Sequence, residues 1–226
     1  MPLSFRMRML IGFLLANAAL VTVAGINVFN RPELPPLIQG VLLPEARQIE
    51  AFSLIDHNNR RFTNQQLKGR WHLVSYGFTT CPDICPTTLS QLALVAKNLE
   101  DEGRLDLHVL FYSVDHRRDT VKQLQAYIPY FHPKFIGLTH IDDSANPHLP
   151  FEKSLGLVSQ LVPLSDPGAD ILENEYQVNH GMNLYLINAE GELQAILEPD
   201  NKQPGVYSFD PQKIITDYRA IRGYIG

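Results

Sequence analysis

Hydrophobic and polar positions divide this chain into two regimes. Met9 to Phe29 is a run of 21 residues without a charged side chain, MLIGFLLANAALVTVAGINVF. A helix rising about 1.5 Å per residue carries such a run roughly 30 Å, the thickness of a bilayer core. Prolines then crowd Arg31-Pro32-Glu33-Leu34-Pro35-Pro36 and return at Pro44, which predicts an extended linker. From about Ile49 short apolar blocks alternate with amphipathic stretches. Ala51 to Ile55 predicts a strand, Asp56 to Asn59 a turn and Arg61 to Thr63 the returning strand. Trp71 to Phe78 (WHLVSYGF) is a nearly continuous block of β-formers, the pattern of a strand buried on both faces.

Leu89, Leu92, Ala93 and Ala96 fall on one face of a helix predicted over Thr87 to Glu100. Leu105 to Val114 reads as the next buried strand, Thr120 to Tyr130 as a helix, Phe135 to Thr139 as a strand and Pro150 to Gly156 as a short helix. Between Leu157 and Val178 the pattern is less regular, with turn chemistry at Ser165-Asp166-Pro167-Gly168 joining two strands. Asn183 to Asn188 and Leu193 to Leu197, around Ala189-Glu190-Gly191-Glu192, predict a β-hairpin, and Asp210-Pro211 opens a final helix reaching about Tyr224. This order predicts a thioredoxin-like α/β domain over residues 48–226, a central mixed sheet flanked by helices. A membrane anchor (1–30) and a Pro-rich linker (31–47) precede it.

Composition agrees with one globular domain plus an appendage: 226 residues, 45% apolar and 19% charged. The net charge of −5 includes Arg6 and Arg8 in the first 30 residues, which contain no acid, so the remainder carries −7. Such acidity argues against a nucleic-acid partner, which needs a basic face. Arg6 and Arg8 ahead of the apolar run place the N-terminus in the cytoplasm and the rest outside. Ala16-Asn17-Ala18 resembles a signal-peptide cleavage site, but the apolar run continues past it, which favours an uncleaved single-pass anchor. In a bacterium this puts the domain in the periplasm, bound to the inner membrane, where conditions are oxidising.

Cys81 and Cys85, the only cysteines, sit within Thr79-Thr80-Cys81-Pro82-Asp83-Ile84-Cys85-Pro86. A disulfide there closes almost no loop, so the pair is read for chemistry rather than for stapling. Spacing of i and i+4 puts both sulfurs on one face of a helix or of the turn leading into it. They stand where a buried strand hands over to a helix, and a helix N-terminus favours thiolate over thiol. Two thiolates suit Cu(I) or Zn²⁺, yet a closed structural zinc site wants four protein ligands and no second cysteine pair exists. A low-coordinate copper site is completed by one more group, drawn from His57, His72, His108, His116, His132, His140, His148 and His180. His72 and His108 lie inside predicted strands and read as packing; His132, His140 and His148 lie in polar loop sequence. His180 precedes a predicted central strand on the side of the cysteine loop, although spacing by itself establishes no contact. Met182 reads as packing first. The chain contains no Gly-rich phosphate loop and no G-x-S-x-G elbow, so nucleotide and hydrolase readings lack support.

Three segments carry a resemblance: YGFTTCPDICPTTLSQL (Tyr76 to Leu92), FYSVDHRRDT (Phe111 to Thr120) and VNHGMNLYLINAEGEL (Val178 to Leu193). In sequence, order and separation they resemble the Sco/SenC family of membrane-anchored, thioredoxin-like copper proteins that assist assembly of the copper site of cytochrome c oxidase. The resemblance covers roughly residues 45 to 224. It implies about one copper per monomer, Cu(I) or Cu(II), held by Cys81, Cys85 and His180, with Asp115 near the site for metal handling or docking. It implies an inserted β-hairpin at Leu157 to Val178. The implied partners are the copper-binding subunit of the oxidase, with another copper chaperone or a thiol reductant beside it. Typical members have proline where this chain has His116, and often Asp-His-Ser where it has Asn179-His180-Gly181. The same sulfurs would serve a thiol–disulfide oxidoreductase that reduces the cysteines of a cuproprotein before metallation, in which His180 is dispensable. A peroxidase-like relative is disfavoured by the retained cysteine pair and the His180 segment.

Overall fold

The computed structural model describes residues 4–29, 34–140, 148–163, 176–203 and 206–226. The chain divides into two compact units, Met1–Pro35 and Pro36–Gly226. The first holds helix α1 (Phe5–Phe29), apolar on every side. Its segment Phe5–Val23 is long and apolar enough to cross a membrane, and its side chains are exposed. That agrees with the expected anchor by length and composition, and a signal sequence has the same character.

The second unit begins with β1 (Gly40–Gln48), β2 (Ser53–Asp56), β3 (Arg61–Thr63) and the short helix α2 (Asn64–Leu67). Then come β4 (Trp71–Gly77), α3 (Ile84–Asp101), β5 (Leu107–Ser113), α4 (Val121–Phe131), β6 (Ile136–Thr139) and α5 (Leu149–Leu155). A hairpin of β7 (Ser159–Pro163) and β8 (Tyr176–His180) follows, then β9 (Leu184–Ile187), β10 (Glu192–Leu197), the small pair β11 (Asp200–Gln203) and β12 (Val206–Ser208), and α6 (Pro211–Ile225). Among the described residues the main sheet has eight strands in the order β1-β10-β9-β4-β5-β6-β2-β3. β4, β5 and β6 are parallel; β9 lies antiparallel to β4 and β2 antiparallel to β6. This is the mixed, helix-flanked thioredoxin-like sheet that the element order predicts. The turn expected at Ser165 to Gly168 lies outside the described residues.

Side-chain alternation on the central strands explains their unbroken apolar runs. Trp71, Leu73, Val109 and Phe111 face one way and pack with Leu89, Leu92, Leu124 and Ile214 from α3, α4 and α6. Val74, Tyr76, Leu110 and Tyr112 face the other way, against Phe151 and Leu155 of α5. Both faces are covered, so neither tolerates polar alternation.

One expectation is corrected. Residues 31–47 read as a linker, yet Gly40–Gln48 is an edge strand paired antiparallel to β10. The register breaks between Leu42 and Arg47, around Pro44, and only an edge strand with such a break accommodates a residue lacking an N–H. Helix α3 also starts three residues earlier than expected, at Ile84, which brings Cys85 into its first turn.

Candidate metal centre

The cysteine loop joins the carboxyl end of β4 to the start of α3, at the sheet edge where open α/β sheets place their sites. Cys81 stands two residues ahead of Asp83, the N-cap of α3, while Cys85 is buried in the first turn. Neither is in a disulfide. The backbone N–H of Cys85 points at Cys81 Sγ over 3.5 Å, so the helix terminus presents a donor to that sulfur. Asp119 pins the loop from outside. Its carboxylate, fully buried, accepts from Thr79 N–H at 2.8 Å, Thr79 Oγ1 at 2.6 Å and Ser113 Oγ at 2.6 Å. Gly77 provides the space for Cys85, since a Cβ there would stand 2.5 Å from its sulfur.

His180 arrives from the other direction, at the end of β8, with β7 pairing Ser159 opposite it. Its Nδ1 lies 2.6 Å from the carbonyl of Gly181. A carbonyl only accepts, so in the neutral ring Nδ1 carries the proton and Nε2 keeps its lone pair. That lone-pair nitrogen faces Cys85 Sγ at 4.0 Å. The imidazole is held between Tyr76, 5.5 Å between ring centroids, and Phe78, 5.7 Å and edge-on. The structure thus brings Cys81, Cys85 and His180 together at one sheet edge.

The two sulfurs are electrostatically unequal. The hydrogen bond from the Cys85 thiol, helped by the amides of Cys85 and Asp83, holds the Cys81 pKa well below the usual thiol range. Donating that bond, and then burial, push Cys85 up. The asymmetry favours the charged form at Cys81 and the protonated form at Cys85.

Asp115 is buried one layer back. Tyr176 Oη donates to its carboxylate at 2.6 Å, and Arg118 Nε forms an ion pair with it. The Arg118 guanidinium lies 4.2 Å over the Tyr176 ring and 5.9 Å over Phe78, so Asp115 reaches the His180 side through Arg118 and Phe78. Met182 is half-buried beyond the end of β8. His116 is half-buried and turns onto His140, 4.0 Å between centroids. Sequence reasoning did not single out Asp119, Arg118, Tyr176 or the Tyr76–Phe78 clasp. Asp119 lies in the quoted segment FYSVDHRRDT, but nothing in that segment names Thr79 as its partner.

Comparison with known proteins agrees with this arrangement. A protein of Stutzerimonas stutzeri is 37% identical over 172 residues, 76% of this chain and 79% of its own length. Arabidopsis thaliana SCO1 homolog 1, a mitochondrial protein, is 35% identical over 139 residues, 62% of this chain but only 39% of that relative. The chain thus spans well under two thirds of the length of some of the relatives it matches. Among solved structures, Arabidopsis ScoI with copper bound superposes with a TM-score of 0.63 at 29% identity, covering 78% of this chain and 100% of that one. Yeast Sco1 with copper bound gives 0.61 at 28% identity, covering 78% and 87%. The family profile described as SCO1/SenC matches residues 42–209, well over half of the sequence, and the chain belongs to that family.

Proposed function

We propose that this protein is a membrane-anchored copper metallochaperone that assists assembly of the copper centre of cytochrome c oxidase. Its cargo is one copper ion, held by the thiolates of Cys81 and Cys85 and by Nε2 of His180. The observation that carries this reading is the fixed tautomer of His180, whose lone pair faces Cys85 Sγ at 4.0 Å. A sulfur and a nitrogen sharing one three-coordinate ion, with bond lengths like those of zinc sites, stand about 3.8 Å apart. Cys85 and His180 therefore need almost no movement to close on an ion. Soft thiolates suit Cu(I), the imidazole extends the site to Cu(II), and a coordination number of three leaves room for a recipient's ligands to enter before those of the carrier leave. The family membership and the copper-bound relatives support the same cargo. Transfer would run to the copper-binding subunit of the oxidase, outside the cytoplasmic membrane, with α1 as the anchor.

Titration of the purified full-length chain with Cu(I) and Cu(II) tests this. Wild type is expected to carry about one copper more per chain than Cys81→Ala, Cys85→Ala or His180→Ala does, with Cu(I), Cu(II) or both. Unchanged stoichiometry in all three variants sinks the reading.

The inequality of the sulfurs favours a second reading, thiol–disulfide exchange. Thiolate Cys81 would attack a disulfide of the recipient and form a mixed disulfide. Cys85 would give up its proton and displace Cys81-bound sulfur, releasing the recipient as a dithiol and leaving Cys81–Cys85 oxidised, to be restored by an external thiol reductant. Reduction of recipient disulfides that survives His180→Ala separates this activity from metal carriage; no reduction by the wild-type dithiol removes it.

A further inference from the structure

The sheet edge that carries the cysteines carries a second set of ligating side chains. β4, β5 and β6 run parallel, so their carboxyl ends share that edge. Cys81 follows β4, His116 follows β5 and His140 follows β6 directly. His148 is the N-cap of α5, and Glu152 lies in its first turn. One ligand atom from each of His140, His148 and Glu152 lies within 4.8 Å of the other two. The rings of His140 and His148 stack at 3.5 Å and 9°, while His116 stands 4.0 Å from His140 and 6.4 Å from His148. His140 is buried; the other three are half-buried.

A proton count shows how His140 is set. Tyr112 Oη lies 2.5 Å from Glu152 Oε1 and 3.1 Å from His140 Nδ1. A phenol has one proton, and a carboxylate only accepts, so the hydroxyl donates to Glu152. The remaining contact is then Nδ1–H of His140 donating to the tyrosine oxygen, which leaves the lone pair on Nε2. Tyr112 is fully buried in the core, so this support is rigid. A buried hydroxyl that accepts from an imidazole N–H, fixing its tautomer, and donates to a neighbouring carboxylate is the outer shell seen around metal ligands.

We propose that His116, His140, His148 and Glu152 form a second metal site, for a divalent ion of the Zn²⁺ or Cu²⁺ class. Imidazole nitrogens and a carboxylate oxygen are borderline and hard donors, suited to such ions and ill-suited to Cu(I). The set shares no ligand with the cysteine site, so the inference goes beyond the copper-carrier reading and does not depend on it. It also assigns His116 a place: the residue that departs from the family's proline belongs to this set.

Equilibrium dialysis against Zn²⁺ tests the proposal on the full-length chain carrying Cys81→Ser and Cys85→Ser, which removes the thiolate site. The expected result is one Zn²⁺ per chain, with affinity reduced about tenfold or more by His148→Ala, by His116→Ala and by the isosteric Glu152→Gln. Circular dichroism confirms that each variant is folded, and Glu152→Gln keeps a partner for Tyr112 should the histidine variants not fold. Sub-stoichiometric Zn²⁺ in the double-serine chain overturns the proposal. So does stoichiometric binding that is indifferent to Glu152→Gln, because the ion then sits elsewhere.

Discussion

A methyl group at position 181 would stand 2.3 Å from the Tyr76 hydroxyl, and one at position 77 would stand 2.5 Å from the Cys85 sulfur. Tyr76 is 5% exposed, so a side chain at 181 must shift a packed ring that flanks His180. Gly181→Ala is therefore expected to weaken copper binding about tenfold while costing about 1–2 kcal/mol of stability. A competition titration beside a urea melt separates the two effects; full affinity in the variant would show that the Tyr76 clasp does not hold the imidazole. Much of this residue-scale design is invisible in the sequence. Cys81 and Cys85 are legible because both lie in one short segment and no other cysteine competes. His180 is legible from its place before β9, and by residue type it is one histidine among eight. Asp119 and Thr79 meet across 40 residues, and no local pattern announces that pair.

At the scale of elements, the central strand β4 positions the cysteine loop and also carries an ionisable side chain through the core. His72 is 2% exposed, its Nε2–H donates to the Leu67 carbonyl at 3.2 Å, and its Nδ1 has no hydrogen-bond partner among the described residues. Burial, then the charge of nearby His108, hold its pKa down to about 4. The unfolded chain binds that proton near pH 6.5. Between pH 6.5 and 4 the unfolded state thus carries the extra proton, and stability rises with pH. Acidification across that window should remove about 3 kcal/mol through this residue. Urea midpoints for wild type and His72→Gln at pH 7 and pH 4.5 check it: the gap between the two proteins is expected to shift in favour of the variant at the lower pH. Parallel loss in both would assign the acid sensitivity elsewhere. The strand itself was readable because burial on both faces leaves a continuous apolar run. β1 was not readable, because Pro44 has the signature of a linker and only pairing with β10, about 150 residues on, makes it a strand.

At the scale of the whole molecule, an N-terminal apolar helix and an acidic domain with thiols and an imidazole at one sheet edge fit the proposed carrier beside a membrane. Residues 1–30 are expected to keep the protein in the membrane fraction through a carbonate wash, with the domain open to added protease in spheroplasts. Release by the wash, or protection from the protease, contradicts the anchor or its orientation. The central claim is that two sulfurs and one imidazole hold the cargo. Its most direct test is the X-ray absorption spectrum of the full-length chain loaded with one equivalent of Cu(I), in wild type and in His180→Ala. The account predicts two sulfurs and one nitrogen around copper in the wild type, with the nitrogen lost in the variant. A copper shell without sulfur, or a nitrogen that persists unchanged in His180→Ala, would contradict it.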